Sequence, residues 1–183
     1  MKEEFHPFTR IALSAVEGPH DHMDIAEHIL YVDGSFEIEE GSAWCVAVLG
    51  KSNQGGIQYL GGFGGRTITD SSDARWVGAH HHSAATAEAS AMIWAQLWVI
   101  RRPVHQRQIP AVIIGDSLTT GTVAQLLATP KANQELGRLL QGLQLYANAR
   151  GSLRWEWIKG HSLHPWNELV DVGAKWYLSL IHI

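Results

Sequence analysis

Four acidic residues occupy positions where an acid is costly to bury. Asp33 closes the apolar run HILYVD, and Asp116 closes the apolar run AVIIGD. Glu88 stands among alanines in TAEASA, and Asp171 stands among apolar residues in NELVDVG. A carboxylate in such surroundings needs a partner, and the chain has only 14 Lys and Arg against 18 Asp and Glu. The pattern indicates a site for divalent metal ions.

The chemistry of such a site follows from its ligands. Carboxylate oxygens are hard ligands, which favour Mg²⁺, with Mn²⁺ as a substitute, over Zn²⁺. Two such ions about 3.5–4 Å apart can bridge a phosphate, one activating the attacking water and the other stabilising the leaving oxygen. Without metal, the acids should repel one another and titrate as a coupled group. Singly, each acid has an ordinary explanation as a turn, cap or solvated helix residue, so the prediction depends on all four meeting.

The elements that must position these acids are predicted from apolar periodicity and turn residues. Three consecutive runs with Gly, Ser and Asn in their connections predict an antiparallel meander, and two later runs predict further strands. Ser83 and Ser117 are expected to be N-caps. The order β-β-β-α-β-α-α-β-α predicts an α/β fold, a mixed five-stranded sheet with helices on both faces. The predicted strands are 28–33, 43–50, 56–63, 111–116 and 153–160, and the predicted helices are 83–100, 117–128, 133–150 and 165–181.

The chain length favours one domain. Residues 1–27 are expected to be an N-terminal extension or linker, and residues 28–183 the catalytic domain. The stretch 64–82 has no clear period and predicts a long loop with a function or an insertion. No secretory signal or membrane span is predicted. The single cysteine, Cys45, fits a reducing compartment, so an intracellular location, cytoplasmic or nuclear, is expected.

The charge balance argues against binding nucleic acid by bulk electrostatics. The formal net charge is −4 and the sequence pI is about 6.2. Proteins that bind phosphates usually show a basic excess or a basic stripe. Affinity for a nucleic acid would therefore have to come from metal ions, from uncharged contacts or from a partner.

Four segments, YVDGS, TAEASA, IIGDS and WEWIKGHSLHPWNELVD, carry a resemblance to a known family. From about Ile29 to Trp176 the sequence resembles the ribonuclease H family, and the last segment is the most specific part. The resemblance implies a hydrolase that cuts the RNA strand of RNA–DNA hybrids internally, with two Mg²⁺ ions per site.

The resemblance also implies roles for individual residues. Asp33 would bind both metal ions, with Asp171 joining it on the ion that activates water. Glu88 and Asp116 would complete the other ion, and Glu88 would lie near the RNA 2′-hydroxyl. His161 would assist proton transfer or product release. Substrate contacts are implied at Gly34, Ser35, Ser83 and Ser117.

Three departures from the family pattern narrow the prediction. Ser83, Ala84 and Ala85 stand where cellular bacterial members carry an Asn or Gln before the helix glutamate. The stretch from Asp116 to His161 is too short for the extra basic helix of many cellular enzymes, and the 64–82 segment is longer than usual. Together with the negative charge, these features favour the ribonuclease H domain of a retroelement reverse transcriptase, whose other domains hold the substrate.

The same residues argue against several other functions. Exonucleases of this fold need a second acid two positions after Asp33, where Ser35 stands, and integrases lack the K-G-H loop. A catalytically inert binding or tether module is the alternative of a different class, but all four acids and His161 are present. The consecutive residues 80–82, all His, make a poor metal site. Trp76 is a candidate for stacking on a nucleotide.

Overall fold

The computed structural model describes residues 24–131, 133–160 and 163–180. Its centre is one five-stranded sheet with the strand order β3-β2-β1-β4-β5. Strands β1 (Ile25–Glu37), β2 (Gly41–Ser52) and β3 (Ile57–Arg66) form an antiparallel meander. Strands β4 (Ala111–Gly115) and β5 (Leu153–Trp157) then add in parallel beside β1. The sheet is therefore mixed, as predicted.

Within the described ranges, four α-helices connect and cover the strands. They are α1 (Ala84–Arg101), α2 (Leu118–Ala124), α3 (Gln134–Arg150) and α4 (Pro165–Ser179). A short 3₁₀ helix, Val104–Gln106, lies between α1 and β4. The observed order of strands and α-helices is the predicted one, which confirms the α/β fold class.

Alternation along β1 and β2 divides the core between the two faces of the sheet, because successive strand side chains point to opposite sides. One set of strand residues packs with α1 and α3, and the other packs with Val170 of α4. Helices therefore cover both faces, as predicted. The first set includes Leu30, Val32, Val46 and Val48, and the second includes Tyr31, Ala47 and Leu49.

Two predicted boundaries were wrong in ways that matter for the site. Strand β1 does not end at Asp33, because its pairing with β2 runs from Ile25, opposite Ser52, to Glu37, opposite Gly41. Residues 25–27, assigned to the extension, thus belong to the sheet, while the division into extension and domain stays a prediction. Helix α2 ends at Ala124 rather than at residue 128, since Leu126 adopts a left-handed conformation with φ 64°.

The long segment after β3 is ordered by local contacts. Between Arg66 and Ser83 the described chain contains neither helix nor strand. Asp73 accepts hydrogen bonds from the backbone and side chain of Arg75, and the indole of Trp76 donates to the Ala79 carbonyl at 2.7 Å. Within the described residues, no helix is long and apolar enough to cross a lipid bilayer.

Candidate active site

Asp33 and Asp116 are brought together by the parallel pairing of β1 with β4. In that register Tyr31 lies opposite Ile114. Two residues further along each strand stand Asp33 and Asp116, the latter directly after the last residue of β4. Asp33 is 6% exposed, and its Oδ1 accepts a hydrogen bond from the Gly34 N–H at 2.7 Å. Strand pairing alone thus places two acids at the same edge of the sheet.

Glu88 reaches these acids because α1 lies unusually close to β1 at Gly34. A Cβ at Gly34 would lie 2.4 Å from both the Ala87 carbonyl carbon and the Glu88 nitrogen. The helix begins at a capping box in which Ser83 and Thr86 exchange hydrogen bonds. A glycine in β1 and a fixed helix start therefore set the position of Glu88.

The three acids form one compact cluster, defined here as Asp33, Glu88 and Asp116. Each offers a carboxylate oxygen, and these three atoms all lie within 4.8 Å of one another. Among the residues that the structure describes, this is the group of metal-ligating side chains that could hold an ion. The prediction that these three acids meet therefore agrees with their placement.

Burial and mutual repulsion dominate the electrostatics of the cluster. Burial first, then the charge of Asp116, raise the pKa of Asp33 from 3.8 to about 7, against the opposing effect of its hydrogen bond with Glu88. Burial, then the charges of Asp33 and Asp116, raise the pKa of Glu88 well above its usual range. Without a cation, Glu88 therefore stays protonated at neutral pH and donates a hydrogen bond to the Asp33 carboxylate.

Asp171 lies beside the cluster rather than within it. Its charge contributes to the raised pKa of Asp33, so the two carboxylates are neighbours. Its Oδ2, however, accepts a hydrogen bond from the Lys175 ammonium at 2.7 Å. Close packing of α4 on the sheet fixes this position, since a Cβ at Gly173 would lie 2.5 Å from the Cys45 sulfur. The role of Asp171 as a fourth ligand stays a prediction.

His161 lies outside the described residues, so its predicted role stays a prediction. The described chain before it borders the site, and the described chain after it contacts the sheet. A Cβ at Gly160 would lie 2.6 Å from Asp116 Oδ2. On the other side, the ring of His164 stacks on Tyr31 with 5.0 Å between centroids, which anchors the start of α4 to the sheet.

Three of the four predicted substrate contacts have a structural role in the protein. Gly34 packs against the α1 backbone. The hydroxyls of Ser83 and Ser117 accept hydrogen bonds from the Thr86 and Thr120 N–H groups at the starts of α1 and α2. Ser35 lines a groove beside α4. Contact of all four with a substrate remains a prediction.

Two residues of the site escaped the sequence analysis. Lys175 follows Asp171 by one helical turn, and this spacing could have identified the pair. The Trp157 indole donates to the Asp116 carbonyl at 2.9 Å, which fixes the backbone of that acid. No sequence signal identified this second contact, because it joins the ends of two strands whose pairing was not known.

The remaining candidates from the sequence have structural partners. His80 pairs with Glu135 at 2.9 Å, and His82 Nδ1 lies 3.1 Å from the Ser42 nitrogen. These two side chains thus contact different partners. This placement agrees with the expectation that residues 80–82 make a poor metal site. Trp76 stands edge-to-face with His80, and its stacking on a nucleotide stays a prediction.

The donor set of the cluster fits a hard divalent cation. Oxygen ligands from carboxylates suit Mg²⁺ or Mn²⁺. Burial, and then the neighbouring acids, raise the pKa of both Asp33 and Glu88, so the fully ionised cluster is unfavourable without a cation. A bound cation would reverse that effect and favour the ionised acids.

Comparison with protein-family models gave no match. Among curated proteins, the chain is 45% identical over 47 residues to a ribonuclease H of Bartonella bacilliformis, which is 26% of this chain and 28% of that protein. It is 44% identical over 46 residues to a ribonuclease H of Dinoroseobacter shibae, 25% of this chain and 27% of that protein. The chain thus matches less than a third of the length of these relatives.

Solved structures match over most of the chain. Ribonuclease H1 of Halobacterium salinarum aligns with a TM-score of 0.58 at 16% identity, covering 84% of this chain and 98% of that one. LC11-RNase H1, solved in complex with an RNA/DNA hybrid, aligns with a TM-score of 0.57 at 14% identity and covers 82% and 99%. The ribonuclease H domain of prototype foamy virus aligns with a TM-score of 0.54 at 17% identity and covers 84% and 94%. The chain therefore has the ribonuclease H fold.

Proposed function

We propose that this chain is a ribonuclease H, an endonuclease that uses Mg²⁺ to cut the RNA strand of RNA–DNA hybrids. The observation that carries the proposal is the meeting of Asp33, Glu88 and Asp116 within 4.8 Å at one edge of a ribonuclease H fold. A fold alone does not specify a function. The fold does not identify a reaction, but three neighbouring carboxylates that can hold a cation supply the groups that metal-dependent hydrolysis needs.

In this proposal the acids hold two Mg²⁺ ions, with Mn²⁺ as a substitute. Asp33, Glu88 and Asp116 supply oxygen ligands, and Asp171, whose charge acts on Asp33, joins them. The bound metal would polarise the phosphate and make water a stronger nucleophile at neutral pH. Asp33, the most buried acid of the three, would be shared between the ions.

The chain's own residues would orient the substrate and move protons. Glu88, on the first turns of α1, would lie near the 2′-hydroxyl that distinguishes RNA from DNA. Gly34, Ser35, Ser83 and Ser117 would contact the nucleic-acid backbone around it. His161 would take up or deliver a proton as the product leaves.

A substrate-holding partner is part of the proposal. The net charge of −4 gives little general attraction for a polyanion. The ribonuclease H domain of prototype foamy virus shares the fold, and in that virus the domain also occurs in a protease–reverse transcriptase structure. These features support the ribonuclease H domain of a retroelement reverse transcriptase as the natural setting. Tight binding of hybrid by the isolated chain at 150 mM salt, with a steep salt dependence, would contradict it.

The function is tested with labelled substrates of three kinds. An RNA–DNA hybrid, an RNA duplex and a DNA duplex are incubated with the protein in Mg²⁺, in Mn²⁺ and in EDTA. We expect internal cuts in the RNA strand of the hybrid alone, in either metal and not in EDTA. Binding of the hybrid without cleavage in either metal would instead indicate an inert module with this fold.

A further inference from the structure

Lys175 forms an ion pair with Asp171, the predicted fourth ligand of the proposed metal centre. Its Nζ lies 2.7 Å from Asp171 Oδ2, one helical turn away on α4. The lysine side chain is 58% exposed, while that of Asp171 is 17% exposed. The ammonium is therefore open to an incoming ligand, whereas the carboxylate it holds faces the protein.

The contact places a positive charge beside Asp171. A lysine ammonium is a compact point charge with three donors, and its Nζ donates a hydrogen bond to Asp171 Oδ2. Lys175 therefore brings positive charge to the carboxylate that would join the metal site.

Lys175 is one of the residues that line a groove of about 530 Å³. Its lining includes Ser35 and three glutamates, and Lys175 is the cation among the described residues that line it. A phosphate is repelled by the glutamates and attracted by the ammonium, which binds phosphate as a point charge. Among the described residues that line this groove, the Lys175 ammonium is therefore the group that attracts a substrate phosphate.

We propose that Lys175 is a positioning residue that holds Asp171 away from the three-acid cluster until a substrate phosphate takes the ammonium and releases the carboxylate. This inference rests on the proposed function. It accounts for the arrangement in which three acids lie within 4.8 Å of one another while the fourth is engaged by a lysine. Completion of the metal site is thereby coupled to substrate arrival.

Binding of Mg²⁺ alone tests this coupling. Calorimetric titration of the full chain, without nucleic acid, compares the wild type with K175M and K175R. We expect K175M to bind Mg²⁺ roughly two- to fivefold more tightly, the range that corresponds to an exposed ion pair. K175R keeps the pair and should match the wild type. The control is K51M, which should also match the wild type. The Lys51 ammonium pairs with the Glu27 carboxylate at 3.9 Å, and this pair lies away from the cluster.

A double-mutant cycle separates an action through Asp171 from a general field effect. If Lys175 acts by holding Asp171, K175M should leave the Mg²⁺ affinity of D171N unchanged. A gain of the same size in both backgrounds would overturn the proposal, as would unchanged affinity in K175M. In hybrid cleavage, K175M should raise KM more than it lowers kcat, with K175R restoring KM, and an unchanged KM would contradict the phosphate step.

The two proposals fail in different ways. A wild-type chain that neither binds Mg²⁺ nor cuts the hybrid would refute the proposed function and this inference with it. A wild-type chain that does both, beside a K175M variant with wild-type affinity and KM, would refute this inference alone.

Discussion

Replacing Asp33 by Asn should abolish catalysis and yet stabilise the metal-free protein. The side chain is 6% exposed and is crowded by two other acids. Asn has almost the same shape, and its Oδ1 can still accept the hydrogen bond from the Gly34 N–H. The substitution therefore removes a buried, uncompensated charge while the local packing is kept.

The size of the effect follows from the raised pKa of Asp33, from 3.8 to about 7. Each pKa unit corresponds to 1.36 kcal/mol, so ionising this acid in the folded protein costs about 4 kcal/mol. The direction of the effect on stability follows from the two pKa values of Asp33. Because the pKa is lower in the unfolded chain than in the folded protein, the unfolded chain loses this proton first as pH rises. Through Asp33 alone, the wild type should thus lose stability as pH rises from about 4 to about 7, and little more above that.

Thermal unfolding in EDTA between pH 4 and pH 8 measures this effect. One kcal/mol corresponds to about 2–4 °C in a domain of this size. We expect the Tm of D33N to exceed that of the wild type by about 8–16 °C at pH 8, with the gap nearly closed at pH 4. The matched control is D73N, because hydrogen bonds from Arg75 lower the pKa of Asp73 to about 2, so that loss of its charge should not stabilise the protein at pH 8.

Equal Tm values for D33N and the wild type at pH 8 would refute this reasoning. A gap that stays constant down to pH 4 would also refute it, because a packing effect does not titrate. Either result would mean that Asp33 does not carry an unfavourable charge in the folded protein.

Three further predictions follow from the same contacts. At pH 8, Mg²⁺ should raise the Tm of the wild type more than that of D33N, since binding to the folded state alone stabilises it; equal shifts in a thermal titration would contradict a shared site at Asp33. G34A should lower the free energy of unfolding by about 1–3 kcal/mol, because its Cβ would meet the α1 backbone at 2.4 Å. G142A should instead raise the free energy of unfolding by roughly 0.5–1 kcal/mol, because its Cβ meets nothing within 4 Å. Urea unfolding of both variants tests this contrast. S83A should cost about 1 kcal/mol in the same assay through loss of the helix cap, and an unchanged midpoint would show that the capping box contributes nothing.

Much of the fold could be predicted because local sequence patterns indicate most of the strands and helices. The apolar run of β4 and the alternation in β5 each indicate their element without reference to the rest of the chain. The extent of β1 could not be predicted in this way. Its polar end, from Gly34 to Glu37, is a strand only because β2 pairs with it.

The site was predictable in its residues and less so in its geometry. Asp33 and Asp116 stood out because each follows an apolar run, but their proximity depends on the parallel register of β1 and β4, which is a tertiary property. The Thr86 partner of Ser83 was not anticipated, since capping boxes usually carry Glu or Gln at that position. The pairing of Asp171 with Lys175 could be predicted from their spacing. The proximity of Asp171 to Asp33 could not be predicted, because it depends on how α4 packs on the sheet.

Single-turnover cleavage of a labelled RNA–DNA hybrid by the wild type, D33N and D73N in Mg²⁺ tests the central claim most directly. The wild type and D73N should cut the RNA strand at equal rates, and D33N should show no cleavage above the EDTA background while remaining folded. Cleavage by D33N at the wild-type rate would contradict the assignment of the three-acid cluster as the catalytic centre.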